Sequence, residues 1–215
     1  MSQVDRLRIT EIFYSLQGEA ETMGLPTVFI RLTGCPLRCE YCDTSYAFQG
    51  GEWFTYAEIL QKVSEFKATY VCVTGGEPLA QKQCTSLLKI LCDNGYQVSL
   101  ETSGAMDIST VDPRVSVVMD VKTPGSGEST KNRLENLSIL DGNDQLKFVI
   151  CSRDDYEWSR HFVQQHQLEG SKVIFSPSFT QISPRDLAEW VLADRVNVRV
   201  QVQLHKILWG EEQGR

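Results

Sequence analysis

The chain has 215 residues, which suits one domain with a substantial buried core. Its 41% hydrophobic and 23% charged residues are the balance of a globular protein, and a formal net charge of −7 without any basic stripe argues against nucleic acid as a partner. No run approaches the roughly 20 apolar residues of a membrane span, and the opening MSQVDRLRIT has no apolar signal core, so a cytoplasmic protein with no membrane partner is expected.

Along the chain, short β-branched runs alternate with longer amphipathic ones. EIFYSLQGEA (11–20) is polar and Gly-containing, and it precedes the first predicted strand, TVFIRL (27–32). In that strand Arg31 shares a face with Phe29, opposite Val28, Ile30 and Leu32. An Arg so placed costs desolvation unless an anion meets it, and either an acidic side chain or a ligand carboxylate would serve. TYAEILQKVSEF opens on a capping box, Thr55 with Glu58, and reads as a helix. TYVCV (69–73) is a strand, and LAQKQCTSLLKILCDNG is a helix stopped by Gly95. YQVSL and VSVVMD (115–120) are strands, a helix is predicted near 129–140, and QLKFVI is the next strand. Residues 154–167 are helical, KVIF (172–175) is a strand, 184–192 is a helix, and NVRVQVQ is the last strand.

About six strands alternating with helices predict right-handed βα units and a parallel sheet. Six units are too few for the usual eight-stranded closed barrel, so the expected fold is α/β, a partial (open) parallel β/α barrel forming a single domain over residues 1–215. The unusual segments all follow predicted strands: TGCPLRC, TGGEP, ETSG, KTPGSG, SPSF and LHK. Parallel α/β folds build their active sites at these C-terminal strand ends.

Three of the seven cysteines, Cys35, Cys39 and Cys42, fall within the loop 33–46. Three thiolates suit a cubane 4Fe–4S cluster that leaves one iron without a protein ligand. The alternative is zinc completed from elsewhere, but His161, His166 and His205 are distant in sequence and no second CxxC exists. Cys72, Cys84, Cys92 and Cys151 lie in predicted strands and helices and are expected in or near the core. In TGGEP, Gly75 and Gly76 let backbone approach a ligand closely, and Glu77 can accept from an ammonium.

CxxxCxxC after a first strand, joined to GGEP after the second, resembles the radical S-adenosylmethionine (SAM) superfamily. That resemblance implies a 4Fe–4S cluster on the three cysteines, with SAM on the open iron cleaved by one electron to methionine and a 5′-deoxyadenosyl radical. A glycyl-radical enzyme activase shares these features but would dock a protein partner. An iron–sulfur electron carrier or a zinc-stabilised binding module would leave GGEP and KTPGSG unexplained.

SLQGEA, FIRLTGC, CDT and QLHKILWG are similar to the 7-carboxy-7-deazaguanine synthase family over about residues 9–210. The resemblance implies conversion of 6-carboxy-5,6,7,8-tetrahydropterin to 7-carboxy-7-deazaguanine with loss of ammonia, in queuosine (7-deazapurine) biosynthesis. It assigns Leu16, Gln17, Gly18, Glu19 and Thr74 to the pterin, Arg31 to its carboxylate and Thr44 to Mg2+. It assigns Tyr41, Cys42, Asp43, Gly76 and Glu77 to SAM. Glu101, Ser103, Asp120, Val121, Lys122, Ser176, Pro177, Ser178 and Phe179 complete the implied SAM site. It also implies a homodimer served by a flavodoxin-type reductant. Many family members read LQGEG where this chain has Ala20, which narrows the backbone freedom there.

Overall fold

The computed structural model describes residues 5–168, 172–179 and 181–215. The chain runs through β1 (Arg6–Leu16), β2 (Pro26–Leu32), β3 (Glu52–Thr55), α1 (Tyr56–Glu65), β4 (Tyr70–Gly75) and α2 (Cys84–Asp93). It continues with β5 (Gln97–Thr102), β6 (Ser116–Asp120), β7 (Gln145–Ile150), α3 (Arg153–Gln165) and β8 (Val173–Pro177), then α4 (Pro184–Asp194), β9 (Arg199–Val200) and α5 (Leu204–Trp209). The strands form one sheet in the order β3-β1-β2-β4-β5-β6-β7-β8-β9, with β3 and β9 at its edges. From β2 through β4 to β9 every pairing is parallel, whereas β1 is antiparallel to both β2 and β3. The open parallel β/α architecture is therefore present, extended by an antiparallel hairpin.

Strand alternation divides the sheet into two faces. Val28, Ile30 and Leu32 of β2, Val71 and Val73 of β4, and Val98 and Leu100 of β5 join Ile59 and Val63 of α1 and Leu87, Leu88 and Leu91 of α2 in one core cluster. Leu146, Phe148 and Ile150 of β7 and Phe175 of β8 pack with Tyr156 of α3 and Leu187 of α4 in a second. Each fully buried aliphatic side chain contributes about 2 kcal/mol of transfer free energy, so the helices are held to this outer face by burial. The other face carries Arg31, Thr74, Glu101, Asp120 and Ser176 near the C-terminal ends of their strands, and Lys147 midway along β7. The register places Arg31 opposite Thr74, Asp120 opposite Lys147, and Glu101 opposite Val118.

Several sequence expectations are corrected. Residues 6–16 form a strand that was not foreseen: Leu7 and Ile9 point into the core, but a shift of register between Ile9 and Glu11 breaks the period. The short edge strand β3 was also missed. The predicted helix near 129–140 is instead two 3-10 turns, Ser129–Lys131 and Leu134–Ser138. Asn side chains compete there with helical hydrogen bonding. Asn132 exchanges a pair of hydrogen bonds with Lys122 N and O, and buried Asn136 donates to Met106 O at 2.8 Å and Gly104 O at 3.2 Å. The helix expected from Leu79 begins only at Cys84, because the Glu77 side chain accepts from Leu79 N and caps a separate 3-10 turn at Pro78–Ala80. The last strand pairs only at Arg199–Val200. By contrast, the Thr55–Glu58 capping box is present in both directions. Cys72 and Cys84 are buried, and Cys92 and Cys151 are half-buried.

Ala20 adopts a left-handed φ of 64°, a conformation that costs a residue with a Cβ about 1 kcal/mol. Gln201 holds it there from both sides: Ala20 N donates to Gln201 Oε1 at 2.6 Å, and Gln201 Nε2 donates to Ala20 O at 2.9 Å.

Asn136→Ala removes the donor to Met106 O and the acceptor of Ile108 N, and leaves Gly104 O with Arg133 N alone. The substitution is expected to cost about 2–3 kcal/mol, read as a lower urea midpoint with an unchanged slope.

Candidate active site at the C-terminal strand ends

A cavity of about 470 Å3 opens on the inner face of the sheet, at the C-terminal strand ends. Leu16, Gln17, Gly18 and Glu19 from the end of β1 line it, together with Arg31 and Thr74. The cysteine loop contributes Cys35, Cys39, Tyr41, Cys42, Asp43 and Thr44. Gly76, Glu101, Ser103, Asp120, Lys122 and the segment Ser176–Phe179 also line it, as foreseen from sequence.

The cysteine loop is fixed by its backbone. Gly34 N donates to Ala47 O at 2.8 Å, and Glu40 N donates to Ser126 O at 3.1 Å, which ties the loop to the turn after β6. Arg38 Nη1 donates to Cys35 O at 2.7 Å while the guanidinium lies over the Phe48 ring. Gly76 packs so closely that a Cβ there would collide with the Gly34 carbonyl. The three thiols are free and half-buried, and burial pushes each one up from its ordinary value. Among the described residues, no three His, Cys, Asp or Glu side chains converge on a single metal ion. Three half-buried thiols around one loop, opening on a common cavity, fit a polynuclear iron–sulfur cluster.

Two buried atoms suit a polar small molecule beside that loop. Tyr41 Oη and Asp120 Oδ1 have no hydrogen-bond partner among the described residues, although both side chains line the cavity. Buried polar atoms of this kind are normally satisfied, so each fits a contact with SAM. Burial, reinforced by the nearby Asp120 charge, pushes the Tyr41 phenol far up, so it stays a neutral hydroxyl. Lys122 Nζ sits 3.0 Å from Asp120 Oδ2 and over the Tyr41 ring.

Arg31 is held by neighbours the sequence reading did not single out. Its Nε donates to Glu11 Oε1 at 2.7 Å, and Tyr46 Oη donates to the same oxygen at 2.8 Å. The guanidinium lies over the Phe13 and Tyr46 rings, and Phe13 stacks on Phe29. This bonding occupies the Nε edge alone, leaving the terminal nitrogens without another hydrogen bond among the described residues. Gln17 Nε2 and Thr74 Oγ1 both donate to Glu101, at 3.3 and 2.9 Å. Gly18 is required for space, because a Cβ would enter the His205 ring. Burial pushes His205 below its ordinary value, leaving it neutral near pH 7. Thr44 Oγ1 donates to Asp43 Oδ1 at 2.7 Å.

These residues sit within a fold whose relatives are known. Residues 29–121 match the radical SAM superfamily. The 7-carboxy-7-deazaguanine synthase of Chlorobaculum tepidum is 44% identical over 99% of this chain and 98% of its own length. That of Thermoplasma acidophilum is 38% identical over 96% of this chain and 99% of its own. This chain belongs to the 7-carboxy-7-deazaguanine synthase family. The crystal structure of QueE from Escherichia coli agrees, with a TM-score of 0.76 and 25% identity over 93% of this chain and 95% of that one.

For a member of this synthase family, two expected SAM contacts are misplaced. Glu77 is fully buried and does not line the cavity. Its carboxylate accepts from Leu79 N, from Ser103 N at 2.6 Å, and from the Thr102 and Ser103 hydroxyls. Protein donors therefore occupy the acceptor that an ammonium was expected to use. Val121 packs in the second core cluster, and its backbone N donates to Lys147 O. Lys147 itself, also missed, lines the cavity. A charge inside the apolar run QLKFVI is the same signal that marks Arg31 in TVFIRL, and it could have found this residue.

Glu77→Gln turns an amide N–H2 toward donors that need an acceptor. The loss is expected to be about 2–4 kcal/mol of stability. A thermal melt that matches the wild type would remove Glu77 from the framework of the site.

Proposed function

We propose that this chain is a radical SAM lyase that converts 6-carboxy-5,6,7,8-tetrahydropterin to 7-carboxy-7-deazaguanine with loss of ammonia. The observation that carries the reading is Arg31. Its side chain is 16% exposed on the inner face of an apolar strand, with its Nε edge taken by Glu11. A guanidinium held by one edge presents the rest of its fork to a planar anion, and the cavity it borders also receives the three free thiols.

In this reading Cys35, Cys39 and Cys42 would hold a 4Fe–4S cluster, which would supply one-electron reduction of SAM. Tyr41, Asp43, Gly76, Asp120 and Lys122, with Ser103 and the segment Ser176–Phe179, hold SAM beside the loop. Glu101 stands between the two ligands, since it already accepts from Thr74 and Gln17. Gln17, Gly18 and Glu19 offer the pterin an amide, a backbone edge and a carboxylate, which together match a heterocycle carrying both donors and acceptors. Thr44 and the substrate carboxylate are oxygen ligands of the kind Mg2+ takes. The residues orient the substrate and exclude water; balance of the reaction requires only that one nitrogen leave as ammonia while the ring contracts. A flavodoxin-type electron donor, a homodimer and a cytoplasmic setting belong to the same reading and rest on family resemblance.

Anaerobic reconstitution with iron and sulfide, followed by SAM, reductant and carboxytetrahydropterin, is expected to yield ammonia and 7-carboxy-7-deazaguanine, with little deoxyadenosine accumulating. An intact SAM-bound cluster that turns over no pterin would overturn the assignment. Arg31→Ala removes a charge-assisted pair of about 1.5–3 kcal/mol and is expected to raise KM roughly ten- to hundredfold. A KM equal to that of the wild type would remove Arg31 from the carboxylate site.

A further inference from the structure

Lys147 stands between Leu146 and Phe148, which face the outer core, so its own side chain turns inward and is 13% exposed. Its ammonium donates to Glu19 Oε2 and lies 3.9 Å from Asp120 Oδ2 on the adjacent strand. The second Glu19 oxygen accepts from Gln203 Nε2 at 2.7 Å. The loop that carries Glu19 is fastened from behind as well, since Leu204 N donates to Gly18 O at 3.0 Å.

The two carboxylates depend on this ammonium unequally. Asp120 has a second cation, Lys122 at 3.0 Å, whereas Lys147 is the one cation within ion-pair distance of Glu19 among the described residues. The other charged groups facing the pair are Glu101 on β5, His205 on α5, Asp43 in the cysteine loop and Lys122 just after β6. Burial alone would raise the Glu19 carboxyl, but the charge and hydrogen bond of Lys147, helped by the Gln203 hydrogen bond and His205, hold it below its ordinary value. Burial likewise opposes the charge on Lys147, but Glu19 and Asp120 push its ammonium up. Loss of the ammonium therefore falls on Glu19, which must then take up a proton or remain a buried charge without a partner.

We propose that Lys147 is a positioning residue for the pterin pocket, fixing the Glu19 side chain as a pure acceptor that admits only a ligand edge donating N–H, such as the amino-pyrimidinone edge of a pterin. The inference rests on the reaction assigned above, with Glu19 on the substrate. A protonated Glu19 would present its own hydroxyl donor to that edge and lose an acceptor.

The test compares Lys147→Met, Lys147→Arg and Lys147→Met/Glu19→Gln in reconstituted holoenzyme, with the pterin KM followed from mildly acidic to mildly alkaline pH relative to wild type. The sign follows from the pairing. Without Lys147 the Glu19 carboxyl rises, so substrate affinity is lost as pH falls through the raised value and returns as pH increases. Lys147→Met is expected to raise KM about tenfold or more at the acidic end, with kcat changing less. The Arg variant should keep the wild-type profile, and the double variant should show a raised KM that no longer depends on pH. On the unloaded protein, difference infrared spectra of Lys147→Met should show a protonated-carboxyl band on acidification that is absent from wild type and from the double variant. A uniform rise in KM at every pH with no such band would reduce Lys147 to a structural role and overturn the proposal. If Lys147→Met does not fold, Lys147→Gln is read the same way, since it keeps a donor to Glu19 without the charge. A wild-type enzyme that turns over no pterin sinks the reaction assignment instead, and the infrared band still decides whether Lys147 keeps Glu19 ionised.

Discussion

A carboxylate without access to water must accept hydrogen bonds from the protein or give up its charge, and Glu77 meets that demand by joining the ends of β4 and β5. Its side chain gathers Leu79 N, the Thr102 hydroxyl, and both the backbone and hydroxyl of Ser103. Its backbone N donates to Gly34 O at 2.8 Å, while Gly76 N donates to Leu32 O at 3.0 Å. One short segment thus binds the cysteine loop on one side and the strand that carries Glu101 on the other. The residue most easily taken for a ligand contact is the one that holds the ligand contacts in place.

On that frame the parallel sheet does the rest by alternation. The strands from β2 across the sheet to β8 turn most of their apolar residues to the helices and at least one polar or charged residue each to the cavity. Charges so placed are costly unless matched, and they are matched in distinct ways. Arg31 leans on Glu11 through one edge and keeps the other, Lys122 lies against Asp120, and Lys147 is shared between Asp120 and Glu19. The cavity is consequently rich in charge on one face of a sheet whose other face is packed hydrocarbon.

The parts of this arrangement legible in the sequence were those with a local signal. Cysteine spacing, glycine pairs, the capping box at Thr55 and Glu58, and Arg31 inside an apolar strand each announce themselves within a few residues. What escaped depends on partners far along the chain. Nothing in residues 6–16 says that they pair antiparallel with β2, because the partner strand supplies the hydrogen bonds. Nothing within GGEP tells whether Glu77 faces a ligand or the Ser103 turn, since 26 residues separate them. Asn132 and Asn136 look helical in a charged run, yet their side chains bind backbone ten or more residues away. Ala20 was foreseen as a restriction on the backbone, but the Gln201 clamp that enforces its left-handed geometry is separated from it by 181 residues.

That clamp also orders events in time. The thiol loop and the first half of the sheet are synthesised first, whereas Gln201, Gln203, Leu204 and His205, which pin residues 17–20, follow much later. Until they arrive, the wall formed by residues 17–20 has no backing and the cysteines look out on an unfinished pocket. The cysteine loop can therefore take shape before the wall closes, while a finished pocket must wait for residues 201–205.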